Sequence, residues 1–336
     1  MVLTAVFSDV HGGLEGLVAL MYHFKIIGVK RIVCLGDLVG EGPDPKKCVE
    51  IAMNYFDITL LGNHDQYHLQ GYVPEQARGS RKSHTWIIQN WFSAEELKKE
   101  LDQLEEENKE RKHKISLLDK INELYRKNPP KDEKELERYK HLFKLVESEP
   151  YFRFLQSLKP ELPIADDSGS HNHGLGDNII LSHGFPVYFL KDKVEGEIKK
   201  DKVEGEINYE CYIVTGEQKK EKRRRREKRL GEEGKNTEQV RKGVEVDQGK
   251  YITAEKIINI LPPDTTLFVG HSHLNFILEG ENNRRIVNPG CVFSRTGDEV
   301  ATFAIYEKDD ASDVNISGVK YNRRKTEDKM RAFDLV

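Results

Sequence analysis

Five short apolar runs in this chain, residues 4–7, 31–35, 58–61, 179–181 and 267–269, each give way to a small block rich in Asp, Asn or His. The blocks are Asp9-Val10-His11, Gly36-Asp37, Gly62-Asn63-His64-Asp65, Ser182-His183-Gly184 and Gly270-His271-Ser272-His273. Short apolar runs bounded by polar residues read as buried parallel strands. Leu14, Leu17, Val18, Met21 and Phe24 repeat at helical spacing between the first two runs, and Pro43-Asp44-Pro45 opens a second helix before the third. Residues 1–65 therefore read β-α-β-α-β. In such sheets ligands bind beyond the carboxyl ends of the strands, where all five polar blocks fall. One histidine after one strand is commonly structural; five ordered blocks in the same position are a site.

A chain of 336 residues with 37% hydrophobic content can bury one large domain with insertions, or two smaller domains. No run approaches the roughly 18 apolar residues of a membrane span, and the N-terminus enters an apolar run at Val2 without a basic lead-in. A cytoplasmic protein with no membrane partner is the expectation. Cys34, Cys48, Cys211 and Cys291 show no CxxC spacing, which argues for reduced thiols. The formal net charge of −4 does not mark the whole molecule as a nucleic-acid binder, but the charge is unevenly spread.

That unevenness marks insertions. Residues 93–147 keep Leu97, Leu101, Leu104, Ile115 and Leu118 at helical spacing among Lys and Glu, break at Asn128-Pro129-Pro130, and resume at Leu136, Tyr139, Phe143 and Val146. This reads as an inserted antiparallel helical hairpin, a solvated structural element or else a lid or oligomer contact whose apolar stripe could pair in a homo-oligomer. Residues 191–250 read as a charged, basic loop region. Within it the octapeptide KDKVEGEI occurs at 191–198 and again at 200–207, and nine of the eleven residues 219–229 are Lys or Arg. Such a run is a solvated loop, a solvent-facing helix, or a polyanion contact. From Phe276 onward, short β-rich segments separated by turn residues predict a second, largely antiparallel layer. The architecture expected is α/β, an α+β sandwich of two mixed sheets flanked by helices with a helical insertion. Residues 1–92 and 148–325 form the domain, and 326–336 a C-terminal tail.

Carboxylates, imidazoles and an amide oxygen converging from several strand ends are the donor set of a catalytic two-metal site. The blocks DxH, GD, GNHD, H and GHxH, in this order, resemble the motifs of the calcineurin-like metallophosphoesterase superfamily. Asn288-Pro289-Gly290-Cys291 is similar to a turn of its bacterial and archaeal phosphodiesterase and dinucleoside-tetraphosphatase-like branch. The resemblance implies a metallophosphoesterase-like fold in which Asp9, His11 and His273 hold one divalent metal and Asn63, His183 and His271 a second, with Asp37 bridging. It implies in-line attack by a metal-bridged hydroxide, with His64 stabilising the transition state and protonating the leaving oxygen. Asp65 either orients His64 or caps local backbone amides. Mn²⁺ is the expected ion, with Fe, Zn, Ni or Co alternatives that the same ligands accept.

Two departures separate the chain from phosphoprotein phosphatases. No arginine follows the second block, which continues Leu38-Val39-Gly40-Glu41-Gly42, and the third block ends in Asp65 rather than Glu. Arg295 is either a replacement phosphate clamp or a surface arginine. His171 and His173, without a strand before them, read as loop residues, and Trp86 and Trp91 as core. The leading function is hydrolysis of a small phosphate mono- or diester or a nucleotide. The alternatives are a nuclease that grips nucleic acid through 219–229, and a non-catalytic protein-binding scaffold.

Overall fold

The computed structural model describes residues 2–70, 83, 150–162, 175, 178–184, 186, 212–232, 251–293 and 299–335. The expected hairpin at 93–147, the repeat at 191–207, Trp86, Trp91, His171, His173 and Arg295 lie outside the described residues.

Among the described residues the chain opens β1 (Thr4–Phe7), α1 (Leu14–Ile27), β2 (Arg31–Cys34), α2 (Pro45–Tyr55), β3 (Ile58–Thr59) and α3 (Asn63–Gln70). This is the β-α-β-α-β order expected. Helix α1 buries Leu17, Leu20 and Phe24 and stops at Gly28, whose φ of 81° supplies the left-handed turn that favours glycine. Val18, counted in the helical repeat, instead points outward and is 50% exposed. Pro45 begins α2, where its missing N–H costs nothing. There follow α4 (Pro150–Ser157), β4 (Glu161–Leu162), β5 (Ile179–Ser182), β6 (Tyr212–Val214), α5 (Gly216–Glu232), β7 (Tyr251–Thr253) and α6 (Ala254–Ile258). The chain closes with β8 (Thr266–Val269), β9 (Phe276–Glu279), β10 (Arg285–Asn288), β11 (Val300–Tyr306), β12 (Asn315–Lys320) and α7 (Arg323–Ala332).

Among the described residues these form two five-stranded sheets, ordered β12-β11-β1-β2-β3 and β4-β5-β8-β10-β9, and a two-stranded sheet, β6-β7. In the first, the parallel strands β1-β2-β3 form one half, ending at the edge strand β3, and the antiparallel β11 and β12 the other; in the second, the parallel β5-β8-β10 lie between antiparallel β4 and β9. The strands β1, β5 and β8 are buried on both faces, and the alternation of side chains along a strand shows how. In β1, Ala5 and Phe7 pack with the helices while Val6 faces the other sheet. In β8, Leu267 and Val269 face α6 while Phe268 joins Val6, Val33, Val287 and Tyr306 between the sheets. The outer face of the first sheet is covered by α1, α2, α4 and α7; that of the second by α6 together with β6 and β7. This is the expected sandwich of mixed sheets with flanking helices.

Three expectations change. The strands after Phe276 are not a separate antiparallel layer: β9 and β10 complete the second sheet, β11 and β12 the first, and β10 runs parallel to β8. Short apolar segments joined by tight turns cannot reveal which sheet each will join. The expected tail at 326–336 is largely helix α7, which buries Thr326 and Met330 and whose Lys329 Nζ donates to Glu15 Oε1 at 2.7 Å and Asp44 Oδ2 at 2.5 Å. Its apolar face is too thin to stand out among charges. Inside the expected loop region, β6 and β7 pair in parallel, with Tyr212 opposite Tyr251, and the basic run forms α5.

Phe268 is fully buried between the sheets, its ring 5.5 Å from that of Tyr306. Phe268→Ala is expected to cost about 3–5 kcal/mol in urea unfolding; a loss below about 1 kcal/mol, the size of an ordinary substitution, would mean the two sheets do not share this core.

Candidate metal centre

All five polar blocks meet at one end of the sandwich. Asp9 and His11 leave β1, Asp37 leaves β2, Asn63 and His64 open α3, His183 leaves β5, and His271 and His273 leave β8. Five of these residues have left-handed backbone: Asp9 (φ 57°), His11 (49°), Asp37 (55°), His271 (64°) and His273 (59°). Such conformations are uncommon for residues with a side chain, though Asp and His tolerate them better than most, and they cluster where a site demands them. Here they turn each chain end sharply as it leaves its strand.

The two central carboxylates are held alike. Asp37 Oδ1 accepts the His64 backbone N–H at 2.8 Å, and Asp9 Oδ2 accepts the His271 N–H at 3.0 Å. The second oxygen of each, Asp37 Oδ2 and Asp9 Oδ1, is buried without a hydrogen-bond partner. Both face ring nitrogens. Asp37 Oδ2 lies 3.6 Å from His11 Nε2 and 3.4 Å from His183 Nε2, and Asp9 Oδ1 lies 3.1 Å from His273 Nε2. His11 Nε2 and His273 Nε2 approach to 3.0 Å, and His183 Nε2 lies 3.0 Å from Asn63 Oδ1. His183 Nδ1 is occupied by the Leu35 carbonyl at 2.9 Å, which leaves Nε2 for the pocket.

Among the described residues the side chains form three overlapping sets that could hold cations: Asp9, His11 and His273; Asp37, His183 and His271, with Asn63 beside them; and, between these, His11, Asp37 and His64. The fit is chemical as well as geometric. A buried carboxylate oxygen without a donor is costly, and oxygen and imidazole donors together suit divalent cations. The titration behaviour agrees. Burial opposes charge on Asp9 and Asp37, yet neighbouring imidazoles, His273 and His183 foremost, hold both carboxyls below the usual range. Burial likewise works against a proton on His183, but the carboxylates of Asp37, Asp9 and Asp65 push it up to about 9. The pocket's field favours positive charge.

Of the two roles read for Asp65, the carboxylate takes the backbone one, accepting the Val39 N–H and the Gly62 N–H, each at 3.0 Å. Burial, then the Asp37 carboxylate, pushes its acid up to about 7 against those two amides. The His64 ring meets His11 edge to face at 4.7 Å. Gly40 makes this approach feasible: a Cβ there would run into the rings of both His11 and His64. Asn288 locks the last block, donating to the Gly270 carbonyl at 2.9 Å and the Ser272 hydroxyl at 3.0 Å while accepting the Gly290 N–H.

One neighbour escaped the sequence reading. The Tyr212 ring, from β6 in the charged insertion, stacks on His271 with centroids 4.1 Å apart and planes 12° apart. The local signal was slight: Tyr212-Ile213-Val214 and Tyr251-Ile252-Thr253 are matching β-prone triplets on either side of the basic run.

A two-sheet sandwich with Asp and His converging from its strand ends defines an α/β protein with a pocket suited to divalent cations. The chain belongs to the calcineurin-like phosphoesterase family, whose profile matches residues 3–189, more than half its length. It is 44% identical over 63 residues to the uncharacterized protein MJ0912 of Methanocaldococcus jannaschii, a match covering 19% of this chain and spanning about a quarter (26%) of that relative's length. The hypothetical protein PH1004 of Pyrococcus horikoshii OT3 has a similar structure, with a TM-score of 0.50 at 14% identity over 100% of this chain and 95% of that one. A metallophosphoesterase from Sphaerobacter thermophilus gives a TM-score of 0.48 at 20% identity, with the same coverage of both chains. At 14% identity the likeness to PH1004 is one of fold.

If the Tyr212 ring fixes the His271 imidazole, Tyr212→Ala should weaken the binding of an added divalent cation roughly tenfold, as loss of an orienting neighbour does, while Tyr212→Phe stays near wild type. Calorimetric titration reads both, and equal affinities in all three proteins would remove the stack from any such role.

Proposed function

We propose that this protein is a two-metal phosphoesterase that hydrolyses phosphate mono- or diesters. The observation that carries the reading is the pair of half-satisfied carboxylates. Asp37 and Asp9 each have one oxygen held by a backbone amide and the other turned, buried and without a hydrogen bond, toward imidazole nitrogens. Asp9, His11 and His273 would hold one ion and Asn63, His183 and His271 the other, with Asp37 shared between them. Mn²⁺ is the ion we assign first. Two such cations supply, when bound, a more acidic water and neutralisation of the charge that develops on a phosphoryl group.

The chain's own groups do the rest. The Leu35 carbonyl fixes one nitrogen of His183 and leaves the other for the pocket. Asp65 ties the Val39 and Gly62 backbones together and so keeps the Asp37 and Asn63 loops in register; it is a positioning residue. His64, partly exposed at the start of α3 and edge-on to His11, is the group we assign to protonate the leaving oxygen. Family membership supports the reaction class. The resemblance to the bacterial and archaeal branch supports a small ester or nucleotide substrate.

The test is hydrolysis of p-nitrophenyl phosphate and bis-p-nitrophenyl phosphate with and without Mn²⁺. Turnover should require metal, vanish with Asp37→Asn, and fall about a hundredfold or more with His64→Gln, the contribution of a lost general acid. Metal-independent turnover, or full activity in the Asp37→Asn protein, would sink the proposal.

A further inference from the structure

The basic run that no part of this chemistry uses is attached to the metal centre. Helix α5 carries nine Lys and Arg against four Glu in 17 residues, within a chain whose net charge is negative. Arg224 and Arg225 are 78% and 79% exposed, and their pairs with Glu221 are surface contacts of small value. The helix is nonetheless anchored at its start. Gly216 N donates to Glu255 Oε1 at 2.9 Å, Lys219 Nζ donates to the Tyr251 carbonyl at 2.6 Å, and Lys222 Nζ sits 5.5 Å from the Tyr212 ring and 5.0 Å from the Tyr251 ring. Ile213 and Ile252 beneath it are buried against the outer face of the second sheet. Tyr212, in turn, stacks on His271. A continuous series of contacts thus links the cationic helix to a residue of the pocket.

We infer that α5 is a binding surface for a nucleic-acid strand, whose backbone it holds beside the metal centre. This rests on the phosphoesterase reading for its chemical purpose, and in place of the small ester or nucleotide proposed above it assigns a phosphodiester within a polynucleotide. The helix is about 25 Å long, comparable to the rise of about seven nucleotides of one strand at 3.4 Å each. Guanidinium groups, most of them consecutive in sequence, suit phosphate oxygens arrayed along a backbone. A small ester needs no such length; a polyanion that must be kept in place while one of its bonds is positioned does.

Binding is measured apart from hydrolysis, by fluorescence anisotropy of a labelled 20-nucleotide single-stranded DNA on the full chain in EDTA, so that failure of the catalytic reading leaves this test intact. The variants are Arg223→Gln, Arg224→Gln, Arg225→Gln and Arg226→Gln combined, and as a charge control Arg324→Gln with Arg331→Gln on α7, whose side chains are 85% and 61% exposed. Thermal melting confirms that each folds. The wild type and the control should bind alike, and affinity should fall steeply with salt. The fourfold variant should bind at least tenfold more weakly, with a log–log salt slope shallower by about 3, from roughly 0.7 per phosphate contact on single strands. Equal binding by the fourfold variant, or an equal loss in the control, would overturn the assignment. So would long-chain polyphosphate displacing the oligonucleotide at equal charge, because α5 would then be a polyanion surface without regard to nucleic acid.

Discussion

Burial of Asp9 and Asp37 at the strand ends is the constraint on which this structure turns. Two carboxylates with almost no exposure cost several kcal/mol each in effective desolvation unless the surroundings compensate. One oxygen of each is compensated by a backbone amide, supplied by the loop that carries another member of the site. The remaining oxygen of each faces imidazole nitrogens, in a cluster whose donors could hold a cation. Much of the neighbouring architecture follows from delivering those amides and rings to one place. Five strand-end residues take left-handed backbone, glycines stand wherever a Cβ would displace a site group, and Asn288 braces the block after β8. Gly62 and Gly270 are of this kind, since a Cβ at either would collide with Asp37 or with Ser8 and Asp9.

Which residues come together in the candidate site was largely legible in the sequence because strand ends announce themselves. An apolar run ending in Asp-x-His or Gly-Asp states both the element and the direction of the residues after it. A parallel sheet then places all such ends together. Asp9, His11, Asp37, Asn63, His64, His183, His271 and His273 gather as that logic requires, with spacings that need no knowledge of the loops between. The core was legible for the same reason, since fully apolar strands such as Ile179–Ser182 imply cover on both faces.

What was not legible depended on partners distant in sequence or weak in pattern. Nothing local tells β10 to lie parallel beside β8 while β11 pairs with β1; that choice belongs to the burial of two sheets against each other. Helix α7 hides its few buried residues among charges, and its docking depends on Lys329 finding Glu15 and Asp44, 314 and 285 positions earlier. Tyr212 lies in a stretch whose composition suggests solvent, and its stack on His271 exists only because β6 and β7 lie against the second sheet. Asp65 shows the limit from the other side: its position in the third block suggested chemistry, and its carboxylate holds backbone.

Whether the site takes two cations that share Asp37 is read by anomalous diffraction from crystals of the protein soaked in Mn²⁺. Two peaks are expected flanking the Asp37 carboxylate, one against Asp9, His11 and His273 and the other against Asn63, His183 and His271. A single peak, peaks elsewhere, or none at full loading would contradict that arrangement.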